Sequence, residues 1–395
     1  MPLVDMKDML DHAHSNGYAV GAFDLVNPVF LGGIIRACER ARAPVILSLA
    51  ESHFPRFDFD LAMAATERAA GHADVPVAIH LDHGASFESA VRAINLGCNS
   101  VMVDTSHDTF PTNMARTRRV VEMAHGCGVT VEGKLGCVAR VEGEEAWTPT
   151  GDVVYTSIEE ACAYVEHTQV DCLAVSIDNT FQGRSRGRPR LDFDRLGQIN
   201  ESLHIPLVIP GSTGLSDEQY RRLIENGAAK INNYTVLADA AAGALREAAA
   251  RDVRASYTDL VKGVRTAIQA EVERIIHLLG SAGRAEEILA IARPWRKVEH
   301  LIVYNINSAS DAEVKAMMAR GREVLCKIPG VRRVASGHAI KEHARYRCCW
   351  IIEFANVNVI DSYRDHPDHV AFANGFFRPI TPDRVSIDYA LTERG

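Results

Sequence analysis

The stretch Ser100-Val101-Met102-Val103-Asp104, a helical pattern through Val120-Val121, and then Thr130-Val131-Glu132-Gly133-Lys134-Leu135 reads as strand, helix, strand. Both strand segments are short, β-branched-rich and end near a charged residue. The same alternation runs along the first 280 residues. Gly21-Ala22-Phe23-Asp24 leads into a helix through Ile34-Ile35. Pro44 to Ser48, Val75 to Leu81, Asp171 to Ile177, Pro206 to Ile209 and Lys230 to Asn233 supply further strands, with a helix from Phe87 to Asn95 between two of them. Thr156-x-x-Glu159 has capping-box spacing and predicts a helix start. Apolar strands joined by helices predict a parallel sheet covered on both faces, and about eight such units predict a closed (β/α)8 TIM barrel.

Polar residues gather where these strands end: Asp82-His83, Asp104, Lys134, Asp178-Asn179, Gly211-Ser212-Thr213 and Asn232. Barrel enzymes keep their chemistry at that face. A charged side chain inside a strand, such as Asp82 or Lys134, is costly unless it pairs or works. Glu132 lies two residues from Lys134 on the same strand face, so a Glu132–Lys134 ion pair is one reading and a catalytic lysine the other.

The chain has 395 residues, 47% hydrophobic and 24% charged, with net charge -8. That suits a globular protein of one large and one small domain and gives no electrostatic footprint for nucleic acid. The Arg-rich run from Arg184 to Arg190 is too short for a polynucleotide groove. No window offers the roughly 18 apolar residues of a membrane helix, and the start predicts no signal peptide. Nine cysteines without a C-x-x-C pair predict free thiols in a reducing cytoplasm.

After a Gly280-Ser281-Ala282-Gly283 closure and an Arg293-Pro294-Trp295 linker, the order changes. His300 to Tyr304, Asp311 to Lys327, Val331 to Ser336, Tyr346 to Phe354, Val357 to Arg364 (continuing near Pro367 to Asn374) and Arg384 to Tyr389 read β-α-β-β-α-β. That order is a ferredoxin-like α+β domain. The expected division is 1–284 barrel, 285–296 linker and 297–395 small domain.

Asn16-Gly17-Tyr18-Ala19-Val20-x-Ala22-Phe23, His80-Leu81-Asp82-His83, Ser89 to Gly97, Asp104-x-Ser106-His107 and Gly280-Ser281-Ala282 resemble the class II ketose-bisphosphate aldolases, the tagatose-bisphosphate branch in particular. That resemblance covers about residues 1–284. It implies reversible aldol cleavage of a phosphorylated ketose to dihydroxyacetone phosphate and an aldehyde, with zinc polarising the ketone. Asp82 then matches the acid/base and His83 one zinc ligand. The second zinc histidine is absent from Asp178-Asn179-Thr180-Phe181-Gln182-Gly183, and Pro210 stands at the third. Lys134 replaces the family's auxiliary carboxylate. Gly183, Gly211, Ser212, Thr213, Asn232, Thr235 and Lys230 match substrate and phosphate contacts, Glu142 matches a mobile-loop base, and Tyr234 departs from the usual small or acidic residue. Glu299 to Val303, Ile328-Pro329-Gly330-Val331 and Tyr363-x-x-His366-Pro367-x-His369 resemble the stress-responsive dimeric α/β-barrel (Dabb) family, in which two sheets pair face to face.

The expected function is an aldolase-type carbon–carbon lyase or transferase acting on a small phosphorylated or similarly anionic ketose. Lys134 would replace zinc as electrophile, by a Schiff base or as an ammonium facing the oxyanion, with Lys230 as a neighbouring charge. His83 and His107 would move protons, and no cofactor would be needed. The alternatives are a non-catalytic sugar-phosphate sensor, chemistry in a small-domain pocket of His300, Tyr346 and His366, and a zinc aldolase whose ligands are rearranged among Asp82, His83, Asp104, Glu132 and Cys137. A homodimer or higher homo-oligomer is expected, without nucleic-acid or membrane partners.

Overall fold

The computed structural model describes residues 2–55, 57–136, 156–177, 191–211 and 213–391. Eight parallel strands, β1 (Val20–Asp24), β2 (Val45–Ala50), β3 (Val77–Gly84), β4 (Ser100–Val103), β5 (Thr130–Leu135), β6 (Cys172–Val175), β7 (Leu207–Ile209) and β8 (Ala228–Asn233), close in chain order into a barrel. Around and below it lie α1 (Met6–Ser15), α2 (Pro28–Ala41), α3 (Phe59–Ala70), α4 (Phe87–Leu96), α5 (Phe110–Gly126), α6 (Ile158–Thr168), α7 (Phe193–Leu203), α8 (Asp217–Glu225), α9 (Thr235–Arg251), α10 (Tyr257–Val261), α11 (Val264–Leu279) and α12 (Ala285–Ile291). The barrel expectation holds. The start of α6 is one residue off: Ser157, not Thr156, accepts from the Glu160 amide, while the Thr156 hydroxyl donates to the Leu135 carbonyl at 3.1 Å.

Strand alternation splits the apolar residues into two sets. Phe23, Leu47, Ile79 and Leu173 face outward into the helix layer. Val20, Ala22, Ile46 and Ala174 face inward and meet Met6, Met9 and Leu10 of α1, which plugs the N-terminal end of the barrel. Each fully buried Val, Leu, Ile, Phe or Met among them contributes about 1.5–3 kcal/mol. Higher in the barrel the inward positions turn polar, and that change of character builds the site.

The C-terminal part comprises β9 (Val298–Tyr304), α13 (Asp311–Leu325), β10 (Val331–His338), β11 (Cys348–Phe354), α14 (Val359–Asp365), α15 (Pro367–Phe372) and β12 (Arg384–Ala390). Its antiparallel sheet has the order β10-β11-β9-β12, as a ferredoxin-like fold requires. One sheet face is buried under the helices by Trp350, Ile352 and Phe354. The other face carries Val385, Ile387 and Tyr389 at 38–45% exposure.

Polar contacts tie this part to the barrel flank. Asn95 on α4 donates to the carbonyls of Cys326 and Ile328 and accepts from the Gly330 amide at 2.7 Å. Arg332 makes a two-pronged pair with Glu67 of α3 at 2.8 and 2.9 Å. Asn356 donates to the carbonyl of Cys127, just past α5, at 2.6 Å. Among the described residues, no helix is long and apolar enough to cross a membrane, and the cysteines are unpaired thiols.

Candidate active site

The inward column of β5 spans the barrel from floor to mouth. At the floor, the Thr130 hydroxyl bonds the carboxylate of Asp5, the N-cap of α1, at 3.1 Å. One level up, fully buried Glu132 pairs with fully buried Lys230 of β8 at 2.8 Å. At the mouth, Lys134 Nζ donates to Asp104 Oδ2 at 2.5 Å. The expected Glu132–Lys134 pair is therefore not formed. Residues two apart on a strand are separated by about 6.6 Å along the barrel axis, and each charge finds its partner on another strand at its own level. Lys230, expected to touch substrate or to crowd Lys134, is instead neutralised one level below it, where it also donates to Asn232 Oδ1 at 2.8 Å.

Local packing fixes the backbone of β5 at the lysine. Asn113 of α5 donates to the Lys134 carbonyl at 3.1 Å, and the Tyr164 hydroxyl of α6 holds Asn113 at 3.2 Å. Gly133 makes this possible, since a Cβ there would lie 2.7 Å from the Tyr164 ring.

Strand β3 ends in an irregularity between Leu81 and Gly84. His83 there adopts φ 49, a left-handed conformation that costs a non-glycine residue energy and is found at functional sites. The bulge turns two consecutive side chains toward the mouth. His83 Nδ1–H donates to Asp104 Oδ2 at 2.7 Å, and its Nε2 lies 3.9 Å from Asp82. Asp104 Oδ1 accepts from the amide and hydroxyl of Ser106. One carboxylate thus holds both cationic groups of the mouth.

The charges set the protonation states. Burial disfavours the Asp104 anion, yet the His83 hydrogen bond and the Lys134 charge outweigh it and hold its pKa far below the usual carboxylate range. His83 would be lowered by burial, but Asp82 and Asp104 raise it above its ordinary value. Asp82 is buried too, and His83 and Lys230 nevertheless depress it. It is an ionised carboxylate, and neither of its oxygens has a hydrogen-bond partner among the described residues.

Lys134, Asp82 and His83 are therefore brought together. Asn232 joins them at the end of β8, Thr235 opens α9, and Gly211 and Thr213 follow β7. His107 is exposed in the loop beyond β4. Glu142, Gly183, Ser212, Cys137 and the Asp178 to Gly183 segment lie outside the described residues. Asp24, Ser48 and Ser176 were missed. Each sits at the inward parity of its strand end, a signal present in the alternation but weak for a four- to six-residue strand. In the small domain, His300 Nδ1–H donates to Asp388 at 2.7 Å beside Phe354 and Tyr363. Tyr346 is not among its ring neighbours, and His366 caps α15, while His300 and His366 both lie near His369.

Residues 4–284 match the family described as fructose-bisphosphate aldolase class-II. The chain belongs to that family. Residues 298–391 match the stress responsive A/B barrel domain. A probable fructose-bisphosphate aldolase of Bacillus subtilis is 41% identical over 250 residues, which are 62% of this chain and 86% of that protein. A fructose-bisphosphate aldolase of Staphylococcus aureus is 37% identical over 290 residues, 72% of this chain and 100% of its own length. The crystal structure of the YdjI aldolase from Escherichia coli K12 has a TM-score of 0.62 at 32% identity, covering 72% of this chain and 99% of that one.

This membership corrects the expectation that no cofactor is needed, because class II fructose-bisphosphate aldolases are zinc enzymes. The described residues do not themselves make a zinc site. They supply one histidine of the family's set, Pro210 stands where another would be, and an ammonium is bonded to the nearest carboxylate. No group of three or more His, Cys, Asp or Glu able to hold a metal occurs among them. Of the rearranged set, Glu132 is committed to Lys230 a level below, and Cys137 lies outside the described residues.

Proposed function

We propose that this member of the aldolase family cleaves or forms a carbon–carbon bond in a small phosphorylated ketose, with the Lys134 ammonium facing the ketone oxygen. The observation that carries the reading is the Lys134–Asp104–His83 cluster beside the carboxylate of Asp82, which accepts no hydrogen bond among the described residues, at the catalytic face of the barrel. Aldol cleavage builds negative charge on the ketone oxygen, and a fixed cation in a water-poor mouth stabilises it. The electrostatic role fits this geometry better than a Schiff base, because the nitrogen is already engaged as a donor to Asp104. Asp82 takes the proton from the aldehyde-side hydroxyl during cleavage and returns it during synthesis. The amino end of α9 has no side-chain cap among the described residues, and its first-turn N–H groups with Gly211 and Thr213 suit a phosphate.

The test is turnover of ketose 1-phosphates and 1,6-bisphosphates by wild type, Lys134→Met and Lys134→Arg. The reading expects kcat to fall about 100-fold or more in Lys134→Met, the size of losing an oxyanion donor, with Lys134→Arg retaining part. Unchanged kcat in Lys134→Met would remove the lysine from the mechanism. Borohydride trapping with the same sugars is expected to leave no mass adduct.

We also infer that two copies pair through the open sheet face of the small domain. An apolar face of this kind on a four-stranded sheet is the usual mark of a partner surface, and a self-complementary face yields a twofold dimer. Light scattering should report a dimer for wild type and a monomer for Ile387→Asp.

A further inference from the structure

His83 sits at φ 49 near the end of β3. A reversed conformation in a non-glycine residue persists only where its surroundings over-determine it. On the near side of His83, Asp82 is still in register with Ala50 of β2. On the far side, the Gly84 carbonyl accepts from the Asp104 amide at 2.9 Å, which ties the segment toward β4. The tie toward β2 is made by a side chain. Glu51 follows Ala50 and opens a short 3-10 turn, Glu51–His53. Its Oε2 accepts from the Ala85 amide at 2.7 Å, and its Oε1 accepts from the Ser89 hydroxyl at 2.9 Å.

One carboxylate thus bridges the residue two past His83 and the first turn of α4. Ser86 caps that helix by accepting from the Ser89 amide at 3.1 Å, so the turn and the helix start move as one piece. The residue type suits the task. The two donors lie on different residues and need one oxygen each. An anion is also favoured beside the first turn of a helix, and a charged acceptor makes the stronger hydrogen bond. Glu51 is half-buried, and both of its oxygens face the turn that they hold.

We propose that Glu51 is a positioning residue of the catalytic face: its carboxylate spans the turn after β3 and keeps His83 in the reversed conformation that brings Asp82 and His83 together at the mouth. Its effect on rate rests on the lyase reading above. A displacement of about 1 Å at a reacting group can cost about 100-fold in rate, so a side chain that touches no substrate can still govern kcat.

The experiment compares wild type with Glu51→Ala, Glu51→Asp and Glu51→Gln. Hydrogen–deuterium exchange over residues 82–89 reads the turn without turnover. Initial rates with fructose 1,6-bisphosphate and tagatose 1,6-bisphosphate read its consequence. Glu51→Ala should exchange about ten-fold faster over 82–89, as local opening does, with β6 and β7 unchanged. Its kcat should fall about ten-fold or more, with KM within about three-fold. Glu51→Gln should stay within about three-fold of wild type on both readouts, because its amide oxygen still accepts from Ala85 and its amide nitrogen can donate to Ser89. Glu51→Asp keeps the charge but is one methylene short of spanning both donors, and should resemble Glu51→Ala. Unchanged exchange in Glu51→Ala, faster exchange with unaltered kcat, or rescue by Glu51→Asp where Glu51→Gln fails would each overturn the assignment. A wild type that turns over neither sugar defeats the lyase reading alone. The positioning role then stands or falls on exchange and on the NMR signal of the His83 Nδ1 proton, identified by its absence in His83→Asn. That signal should persist in Glu51→Gln and vanish in Glu51→Ala, and its survival in Glu51→Ala would refute the role.

Discussion

At the residue scale, the site is decided by which charge meets which. Lys134 and Asp82 could be picked out from sequence because charged groups inside barrel strands are costly unless they pair or work, and His83 through the resemblance to the aldolases. Their partners could not. Asp104 meets Lys134 across neighbouring strands, and the stagger of a barrel, not spacing along one strand, sets that register. Two predictions belong here. Lys230→Met leaves Glu132 as an unpaired buried charge, and should cost about 3–5 kcal/mol in chemical denaturation. Adding Glu132→Gln should recover most of it, because the buried charge is then gone. Lys134→Glu removes the ammonium and sets a third oxygen or nitrogen donor beside His83 and Asp104. Zinc affinity in chelator competition should then rise at least ten-fold over wild type, as the donor count reaches the three that catalytic zinc sites use. An unchanged affinity would show that the lysine is not what shapes metal binding there.

At the element scale, strands, helices and their order were legible because the apolar runs are short and regularly interrupted. The end of β3 was not. Its bulge arises from His83 in a left-handed conformation, and residue-level patterns carry no trace of a single reversed φ in a non-glycine. Strand β5 depends on Gly133 in a similar way. Gly133→Val would drive a side chain into Tyr164 and Val170 and should cost about 1–3 kcal/mol. It should also lower kcat more than KM, because Tyr164 steadies the Asn113 that holds the Lys134 backbone. In the helix layer of the small domain, burial keeps His369 below its ordinary pKa, more than the hydrogen bond to the Arg364 carbonyl raises it. The unfolded chain therefore binds the proton first. Stability from this group is complete above about pH 6.5 and is lost as pH falls toward the depressed folded value. Denaturation midpoints of wild type minus His369→Asn should decline across that window and be flat above it.

At the scale of the whole molecule, the two-part architecture was legible from the change in strand–helix order, whereas the joint between the parts was not. A stretch that reads as a linker is part of the barrel's floor. Ile288 and Ala292 belong to the interior cluster with α1. Trp295 is buried and its amide bonds the Leu3 carbonyl at 2.9 Å, Pro294 bridges Val4, and Arg293 clasps Asp5 and Asp8. A chain ending at 284 should therefore melt several degrees below one ending at 296, in calorimetry of the two side by side. The consequence reaches past stability. This seam is stitched to the first residues of the chain and the flank of α4 is buttoned to the turn before β10, so the small domain is fastened to the barrel at two separate places. If the open sheets join, the two catalytic mouths are held in one fixed mutual orientation, and anything tethered to one subunit meets the other at a set angle.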